Sequence, residues 1–468
     1  MGRIRLFGVY VPSFFVLLAT LEIGFLYGSV ALAAFLRFDG DLPEIYRALG
    51  PWTYRAILLC AVLILSLAAM GFYQTHSREG LAGQLLRILV GFLLGWLILA
   101  FIYYLAPVLY IGRGVSTLAS VFAVAAITLF RPAFSRLVDS ETLKPRVLVF
   151  GAGEKATWIS RRMQRRSERC GFRLLGYVDT GGAREVTNDA RVFRLEEPLS
   201  DYARRNHVDQ IVVAVDDRRS GLPMDELLRC RLNGVEVYDL PTFFERETGT
   251  VALELTDPSW LVFGRGFKKS ILVGSLKRGL DLVMSALVLI VSLPFFLLTV
   301  VAVKIEDGWR APIFYSQRRV GEKGRVFRLY KLRSMRVDAE QETGARWASA
   351  QDERVTRVGS IIRKLRIDEL PQVINVFRGE MSFVGPRPER PEFTCELERR
   401  IRYYRERCAV KPGVTGWAQL RYPYGASDSD SREKLKYDLF YIKNHNMLFD
   451  LLILLRTVEV VIFGKGAR

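Results

Sequence analysis

The chain has 468 residues, of which 50% are hydrophobic and 25% charged, and its 67 lysines and arginines outnumber its 49 acidic residues. This length corresponds to about three domains, and the basic balance suits an anionic membrane surface or phosphorylated substrates. The long apolar segments favour these partners, so we predict that the chain binds no nucleic acid. Five cysteines without C-x-x-C spacing and three scattered histidines argue against a zinc site, a disulfide framework and a histidine metal site.

Four apolar segments precede residue 131, and each is close to the ~20 residues that cross a bilayer as a helix. They cover residues 11–36, 56–73, 88–112 and 114–130. We therefore predict a four-helix transmembrane bundle in residues 1–135. Basic residues flank both ends of the bundle, which places both ends in the cytoplasm. Glu22 is the only charge in the first segment. Intramembrane charges are often functional, but a helix–helix hydrogen bond is the interpretation we favour here.

Residues 144–260 alternate between strand-like and helical stretches, which predicts a Rossmann-like parallel α/β domain. Strands are expected at residues 147–150, 174–179 and 210–215, and near Val237. A Gly-x-Gly turn, Gly151 to Gly153, follows the first strand, but Ala156 stands where the dinucleotide fingerprint has its third glycine. This incomplete fingerprint favours a packing or dimerisation module over a nucleotide-binding one.

Membrane-anchored nucleotide-sugar dehydratases are a rival interpretation, because they too place a Rossmann domain after several membrane helices. Their hydride chemistry needs a Tyr-x-x-x-Lys pair. The residues four positions after Tyr177, Tyr202 and Tyr238 are glycine, asparagine and threonine. None of these tyrosines therefore has the lysine that the dehydratase interpretation requires.

An uncharged run from Leu282 to Val303 is long enough to span a membrane, but Ser292 and Pro294 lie near its middle. Proline removes one helical hydrogen bond and clashes with the preceding turn, and Ser292 can supply a polar partner at this break. Both flanks are basic, so nothing places them on opposite sides of the membrane. We predict a re-entrant helix over about residues 280–304, with an ordinary kinked span as the alternative.

Two adjacent carboxylates, Asp368 and Glu369, follow a basic stretch and precede Pro371. Proline suits the first turn of a helix, and the N-terminus of a helix favours anions. We therefore expect Asp368 to stay ionised at a helix N-terminus, beside a bound phosphate. An ordinary helix cap is the alternative for this aspartate.

Two other patterns surround this pair. Residues 313–329 alternate in polarity and predict a β-hairpin whose turn runs from Gly321 to Gly324. Further along the chain, Gly413 and Gly416 bracket a predicted tight turn whose exposed backbone can hold a phosphate.

Four ordered motifs in residues 275–468 resemble the bacterial sugar transferase family. They are Lys331-Leu-Arg-Ser-Met, Ile367-Asp-Glu-Leu-Pro-Gln, Met381-Ser-Phe-Val-Gly-Pro-Arg-Pro-Glu and Lys411-Pro-Gly-Val-Thr-Gly-Trp-Ala-Gln. The family comprises monotopic polyprenyl-phosphate phosphoglycosyltransferases that initiate exopolysaccharide, capsule or O-antigen synthesis. The preceding four membrane segments and α/β domain resemble its long form, and the sequence around Arg387, Tyr422 and Lys434 resembles an exopolysaccharide subgroup associated with exosortases.

The resemblance implies a mixed α/β catalytic domain in which Asp368 is the nucleophile. It would attack the β-phosphate of a UDP-sugar, expel UMP and hold the sugar phosphate until undecaprenyl phosphate displaces it. Glu369 is implied as its partner, either in binding Mg²⁺ together with Asp368 or in proton handling. Basic residues neutralise the meeting anions. These phosphate contacts are predicted to come from Lys331, Arg333, Arg363 and Arg387.

The implied partners are a UDP-sugar, undecaprenyl phosphate, membrane lipid and a second copy of the chain in a homodimer. The implied location is the bacterial inner (cytoplasmic) membrane, as a multi-pass protein whose catalytic domain faces the cytoplasm. A non-catalytic assembly or regulatory protein with the same fold is the alternative, and the intact Asp368–Glu369 pair argues against it.

Overall fold

The computed structural model describes most of the chain, which divides into two compact units. The described residues are 3–6, 8–73, 81–138, 144–159, 171–179, 192–216, 222–256, 271–336, 354–422, 425 and 427–462. The first unit comprises residues 1–6 and 10–248, and the second comprises residues 7–9 and 249–468.

Apart from the short amphipathic helix α2, the N-terminal part forms helices that are apolar on nearly every side, as expected of segments surrounded by lipid. After two short strands, β1 (Arg3–Leu6) and β2 (Val9–Pro12), the helices are α1 (Ser13–Arg37), α2 (Leu42–Leu49), α3 (Thr53–Ala69), α4 (Leu81–Leu105) and α5 (Arg113–Val138). Helices α1, α4 and α5 are each long and apolar enough to cross a membrane. The second predicted span differs, because α3 meets this test only together with α2, to which it is bent by 73°. Pro51 follows Gly50 at this bend, and a proline cannot continue the hydrogen-bond ladder of α2.

Glu22 is fully buried in α1 and carries the charge predicted to lie inside the bundle. The Arg131 side chain of α5 donates from Nε to Oε1 over 2.6 Å and from Nη2 to Oε2 over 2.9 Å. The Tyr73 hydroxyl also donates to Oε2, over 2.5 Å. This forked ion pair satisfies a carboxylate that apolar surroundings would otherwise leave unpaired. The predicted helix–helix hydrogen bond of Glu22 is confirmed, as an ion pair.

A five-stranded parallel sheet follows in the same unit. Its strands are β3 (Arg146–Phe150), β4 (Arg173–Val178), β5 (Val192–Phe193), β6 (Gln210–Val213) and β7 (Glu236–Asp239), in the order β5-β4-β3-β6-β7. The helices described with it are α6 (Leu199–Arg205), α7 (Met224–Leu232) and α8 (Leu240–Thr248). The central strand β3 is buried from Val147 to Phe150, as in parallel sheets that are covered on both faces. The predicted parallel strands are confirmed.

The second unit begins its described part with one 37-residue helix, α9 (Ile271–Asp307), which contains Pro294. Within the described residues, α9 is the fourth helix long and apolar enough to cross a membrane. Strands β8 (Phe314–Val320) and β9 (Val326–Leu332) then form an antiparallel hairpin. The predicted hairpin and its turn, where a short 3₁₀ segment covers Glu322–Gly324, are confirmed.

The remaining elements pack around an aromatic core. They are α10 (Arg357–Lys364), α11 (Gln372–Arg378), β10 (Ser382–Val384), α12 (Pro391–Arg400), β11 (Gly413–Thr415), α13 (Trp417–Arg421), α14 (Asp428–Asn444) and α15 (Met447–Ile462). In the core, the Trp417 ring centroid lies 5.2 Å from that of Phe449, and the indole N–H donates to the Gly249 carbonyl over 2.9 Å. Strands β10 and β11 pair in parallel beside this core.

Candidate active site

Asp368 and Glu369 lie in a 3₁₀ turn, Ile367–Glu369, that joins α10 to α11. Arg366 takes a left-handed conformation (φ 56°), which ends α10 and redirects the chain into this turn. Pro371 then stands immediately before α11 with a φ of −63°, a value that its ring fixes in any case. Both carboxylates are buried. The short turn therefore holds two acidic side chains inside the domain.

Glu369 is surrounded by cations. Arg387 Nη2 donates to Oε1 over 3.0 Å, and Lys331 Nζ lies 3.4 Å from the same oxygen. Arg366 Nη1 lies 3.8 Å from Oε2. Burial alone would raise the pKa of Glu369, but Arg387, Lys331 and Arg366 outweigh it and hold this pKa well below its usual range. These cations thus favour the ionised form of Glu369, and both of its carboxylate oxygens face a basic side chain.

Asp368 has a different environment. Lys331 Nζ lies 3.8 Å from Oδ2, and 10% of the side chain is exposed. Burial raises the pKa of Asp368; Lys331 opposes this, and the neighbouring Glu369 charge adds to it. We expected Asp368 at a helix N-terminus, but it lies in the 3₁₀ turn, and α11 begins only at Gln372. The two side chains are equally exposed, at 10% each, so Asp368 differs from Glu369 in the direction of its pKa and in its contacts, not in its exposure.

Three of the four basic residues predicted to bind phosphate surround the pair. Lys331 reaches both carboxylates from β9, Arg387 bonds Glu369, and Arg363 on α10 is near enough to lower the pKa of Asp368. The structure joins the fourth, Arg333, to the end of α9 instead, where its Nη2 donates to Asp307 Oδ2 over 2.7 Å.

The Gly413 and Gly416 segment differs from its prediction. An exposed turn was expected, but Gly413 begins the short strand β11 and both glycines are buried. A Cβ on Gly413 would come within 2.1 Å of the Gly385 nitrogen, and one on Gly416 within 2.2 Å of the Gly385 oxygen. Close backbone packing explains both glycines, because a side chain at either position would collide with this neighbour. Their role in phosphate binding stays a prediction.

Ser292 and Pro294 lie inside α9, whose helical assignment continues through both of them. Pro294 is exposed and Ser292 is half-buried. Because proline has no N–H, it leaves the carbonyl of Ile290 without its usual helical donor. The predicted break of the membrane helix at this point stays a prediction.

Asn375 is a fully buried residue of α11 whose importance the sequence analysis missed. Its side-chain amide donates to the Arg328 carbonyl over 2.7 Å, and its Oδ1 accepts from the Tyr330 N–H over 3.1 Å. These bonds fix α11 to β9, the strand that carries Lys331. The available signal was one polar residue between Val373 and Val376 on an otherwise apolar face.

The glycine turn of the α/β domain is filled by the chain itself. Asp216 accepts hydrogen bonds from the backbone N–H groups of Glu154 and Lys155, each over 2.8 Å. A Cβ on Gly153 would lie 1.8 Å from Asp216 Oδ2. Amides at this position would meet the pyrophosphate of a bound dinucleotide, so an internal carboxylate stands where that ligand would lie.

A buried carboxylate pair beside several cations, in a unit with a long apolar helix, suits chemistry on phosphorylated substrates at a membrane. The sequence profile of bacterial sugar transferases matches residues 272–464, and that of a CoA-binding domain matches residues 68–221. The chain belongs to the bacterial sugar transferase family.

Three relatives illustrate the range of the family. A UDP-N-acetylgalactosamine-undecaprenyl-phosphate N-acetylgalactosaminephosphotransferase of Aeromonas hydrophila is 40% identical over 54% of this chain and 58% of its own. An undecaprenyl-phosphate glucose phosphotransferase of Komagataeibacter xylinus is 33% identical over 74% of this chain and 65% of its own. A UDP-glucose:undecaprenyl-phosphate glucose-1-phosphate transferase of Caulobacter vibrioides is 41% identical over 41% of this chain and 71% of its own. The chain thus spans less than two thirds of the first two relatives.

Proposed function

We propose that this protein transfers a sugar-1-phosphate from a UDP-sugar to undecaprenyl phosphate, which yields undecaprenyl-diphosphate-sugar and UMP. The observation that carries the proposal is that the two carboxylates of the pair have different contacts. Glu369 is occupied by Arg387 and Lys331, whereas within the described residues no hydrogen bond reaches the Asp368 carboxylate. The names of the three relatives support the same class of reaction.

Asp368 has the properties of a nucleophile. Its raised pKa means that, once ionised, its oxygen is more basic than that of an ordinary aspartate. In the proposed first step this oxygen bonds to the β-phosphorus of the UDP-sugar, the bond to the bridging oxygen breaks, and UMP leaves. An oxygen of undecaprenyl phosphate then attacks the same phosphorus and releases Asp368. Two displacements at a fixed carboxylate replace one direct encounter of two anionic substrates.

Lys331 and Arg387 neutralise charge during both steps. Their cationic groups lie beside the pair before substrate arrives, so little reorganisation is needed when the phosphoryl group enters. Arg363 lies on the Asp368 side of the turn and can approach the same oxygens. Glu369 keeps these cations in place through its contacts with Arg387 and Lys331, and the same cations favour its ionised form by lowering its pKa.

A magnesium ion is compatible with this donor set. The described residues hold no cluster of three or more histidine, cysteine, aspartate or glutamate side chains able to bind a metal, but Mg²⁺ typically binds one or two carboxylates together with substrate phosphates and water. Within the described residues the Asp368 oxygens accept no hydrogen bond and face only Lys331 Nζ, at 3.8 Å, whereas those of Glu369 face Arg387, Lys331 and Arg366. Such an ion would neutralise the diphosphate of the donor.

The contacts of α9 support a re-entrant membrane helix. Its N-terminal part binds α11 through Arg278, and Asn375 ties α11 to Tyr330. The last residue of α9, Asp307, pairs with Arg333. Arg333 follows Tyr330 by three residues, which is about 10 Å at the rise of a strand. The stretch between Arg278 and Asp307 would cover about 44 Å as a straight helix. A helix that bends back, with both ends on the cytoplasmic side, satisfies these contacts.

This arrangement suits the two substrates. The phosphate of the lipid carrier lies at the membrane surface, whereas the UDP-sugar is dissolved in the cytosol. We therefore propose that the protein resides in the inner membrane, with its catalytic domain in the cytoplasm, and performs the first membrane step of exopolysaccharide synthesis. The sheet order of the α/β domain supports a Rossmann-like fold. A homodimer stays a prediction.

The test is UMP release by the purified protein with undecaprenyl phosphate and Mg²⁺, from a panel of donors that includes UDP-glucose and UDP-N-acetylgalactosamine. We expect turnover with at least one donor and none with Asp368→Asn. Release of UMP by Asp368→Asn at the wild-type rate would contradict the role of Asp368. Absence of UMP from every donor would contradict the proposed function.

A further inference from the structure

Helix α9 contacts both helices that flank the catalytic turn. Near its N-terminus, Arg278 donates from Nη1 to the Val376 carbonyl over 2.5 Å and from Nη2 to the Phe377 carbonyl over 2.6 Å. These carbonyls belong to the last turn of α11. Carbonyls at a helix C-terminus lack helical partners and carry partial negative charge, so a guanidinium group stabilises them. Arg278 therefore holds the far end of α11.

The other end of α9 makes the complementary contact. Glu306 accepts hydrogen bonds from the backbone N–H groups of Arg357 over 2.8 Å and Val358 over 2.9 Å. The Thr356 hydroxyl accepts the next one, from Gly359, over 2.9 Å. The first N–H groups of α10 are thus satisfied, two of them by a carboxylate whose charge suits the helix dipole. Glu306 therefore holds the far end of α10.

The catalytic turn lies between these two fixed helices. Helix α10 ends at Lys364, the turn covers Ile367–Glu369, and α11 starts at Gln372. Neither Arg278 nor Glu306 contacts a carboxylate of the pair, yet each fixes the outer end of a rigid element that leads directly to it. A movement of either helix would displace Asp368, because only a few residues separate it from both.

We propose that Arg278 and Glu306 are positioning residues through which the two ends of membrane helix α9 set the geometry of the catalytic turn. This inference rests on the proposed function. The position of α9 then determines whether Asp368 is aligned for attack on phosphorus. Displacement at phosphorus requires the attacking and leaving oxygens to lie roughly in line, and a misplacement of about 1 Å can cost about 100-fold in rate.

The effect should fall on kcat rather than on KM, since neither residue is placed against substrate. We expect Glu306→Ala to lower kcat by about 10- to 100-fold, with the KM for the UDP-sugar changed by no more than about threefold. Glu306→Gln should be intermediate, because its amide oxygen accepts one of the two hydrogen bonds. Arg278→Ala should resemble Glu306→Ala, and Arg278→Lys should recover part of the rate.

Rescue by the conservative variants separates positioning from a general loss of stability. Arg278→Lys and Glu306→Gln each keep part of the contact with the helix end, so each should recover part of kcat relative to its alanine variant. Unfolding of part of the sample would instead lower kcat in proportion to the folded fraction, which circular dichroism measures on the same preparation. Glu398→Gln removes an exposed carboxylate on α12, and this control should retain wild-type kcat.

The measurement is UMP release by full-length protein in bilayer nanodiscs, at saturating and limiting donor concentrations. Wild-type kcat in Glu306→Ala and Arg278→Ala would overturn the inference, as would a rise in KM at constant kcat or an effect equal to that of Glu398→Gln. A folded Glu306→Gln variant keeps the test valid if the alanine variant does not fold. An inactive wild type would instead refute the proposed function, so the two failures are distinguishable.

Discussion

Asp216 in the α/β domain and Asp368 in the catalytic domain both lie where a phosphate would be expected, but they have opposite surroundings. Asp216 accepts two backbone hydrogen bonds and fills the glycine turn. Asp368 receives no hydrogen bond within the described residues and is accompanied by Glu369, which takes the direct contacts of Arg387 and Lys331. The Asp216 carboxylate substitutes for a ligand, whereas the Asp368 carboxylate, without a hydrogen bond among the described residues, is the one that we propose reacts with a phosphate.

The comparison shows that an anion-binding motif is not yet an anion-binding site. The amides after Gly153 have the orientation that binds phosphate. The Asp216 carboxylate already accepts their hydrogen bonds, and its negative charge would repel a phosphate. In the catalytic domain, the hydrogen bond of Arg387 and the closer contact of Lys331 go to Glu369 and not to Asp368. A match to a CoA-binding domain profile therefore does not imply that nucleotide binds in this conformation.

The sharpest test replaces each aspartate with its neutral isostere. Asp368→Asn should lower UMP release by at least about 10³-fold, because the amide is a poor nucleophile. Residues 154–159 are helical, so Asp216 binds the first N–H groups of a helix. Asp216→Asn removes the same charge and should change the rate less than about twofold, since asparagine caps a helix nearly as well as aspartate. Equal effects of the two substitutions would contradict the distinction drawn between them.

Loss of the arginine that occupies Glu369 should have the next largest effect. Arg387→Ala removes a hydrogen-bonded cation from the pair, and removal of one such preorganised group typically costs about 10²-fold or more in rate. We expect a decrease of this size in kcat/KM. Arg399→Ala, at an exposed position of α12, is the control and should match the wild type. An Arg387→Ala variant with unchanged kcat/KM would show that Glu369 needs no such partner.

A smaller effect is expected on pH dependence. In the proposed mechanism the reaction requires ionised Asp368, so the rate should fall as pH drops through its raised pKa. Glu369→Gln removes a charge that raises this pKa and frees Lys331 to stabilise the anion, so the acidic limb should move to lower pH. Lys331→Ala removes a cation that lowers the pKa, so the limb should move to higher pH. Shifts in the same direction in both variants would contradict the assigned coupling.

The smallest effect concerns the glycine turn. Asp216→Ala should cost about 1 kcal/mol in free energy of unfolding, the typical price of a lost N-terminal cap, with little change in UMP release. It should also free the N–H groups of Glu154 and Lys155 to bind inorganic phosphate or CoA weakly, whereas the wild type should bind neither. Calorimetric titration measures both. Binding of CoA by the wild type that weakens in Asp216→Ala would reverse the interpretation.

The sequence predicted those features that depend on local pattern. The parallel strands, the hairpin and the apolar helices follow from periodicity, and the adjacent Asp368–Glu369 pair stands out among basic residues. It did not predict that Arg333 pairs with Asp307 or that Asp216 reaches Glu154 and Lys155. These contacts join residues far apart in the chain. The local sequence around an arginine or aspartate does not indicate which distant residue it will contact in the fold.

The direction of the Asp368 pKa could not be predicted for a related reason. A helix N-terminus was expected to favour the charge, but Asp368 lies in a buried 3₁₀ turn before α11, and this burial raises its pKa. The glycines at 413 and 416 teach the same lesson, because their small size serves close packing against Gly385. In both cases tertiary contacts, invisible in local sequence, decide the outcome.

The ion pair between Glu22 and Arg131 has a consequence for how the protein is made. A lone charged side chain costs about 3 kcal/mol or more at the centre of a bilayer, and the partner of Glu22 is 109 residues further along the chain. At about 5–20 residues per second, synthesis of that intervening stretch takes roughly 5–20 s. During this interval α1 carries an unmatched charge, which favours its retention at the insertion machinery until α5 emerges. The bundle is therefore expected to enter the lipid as one assembled group of helices.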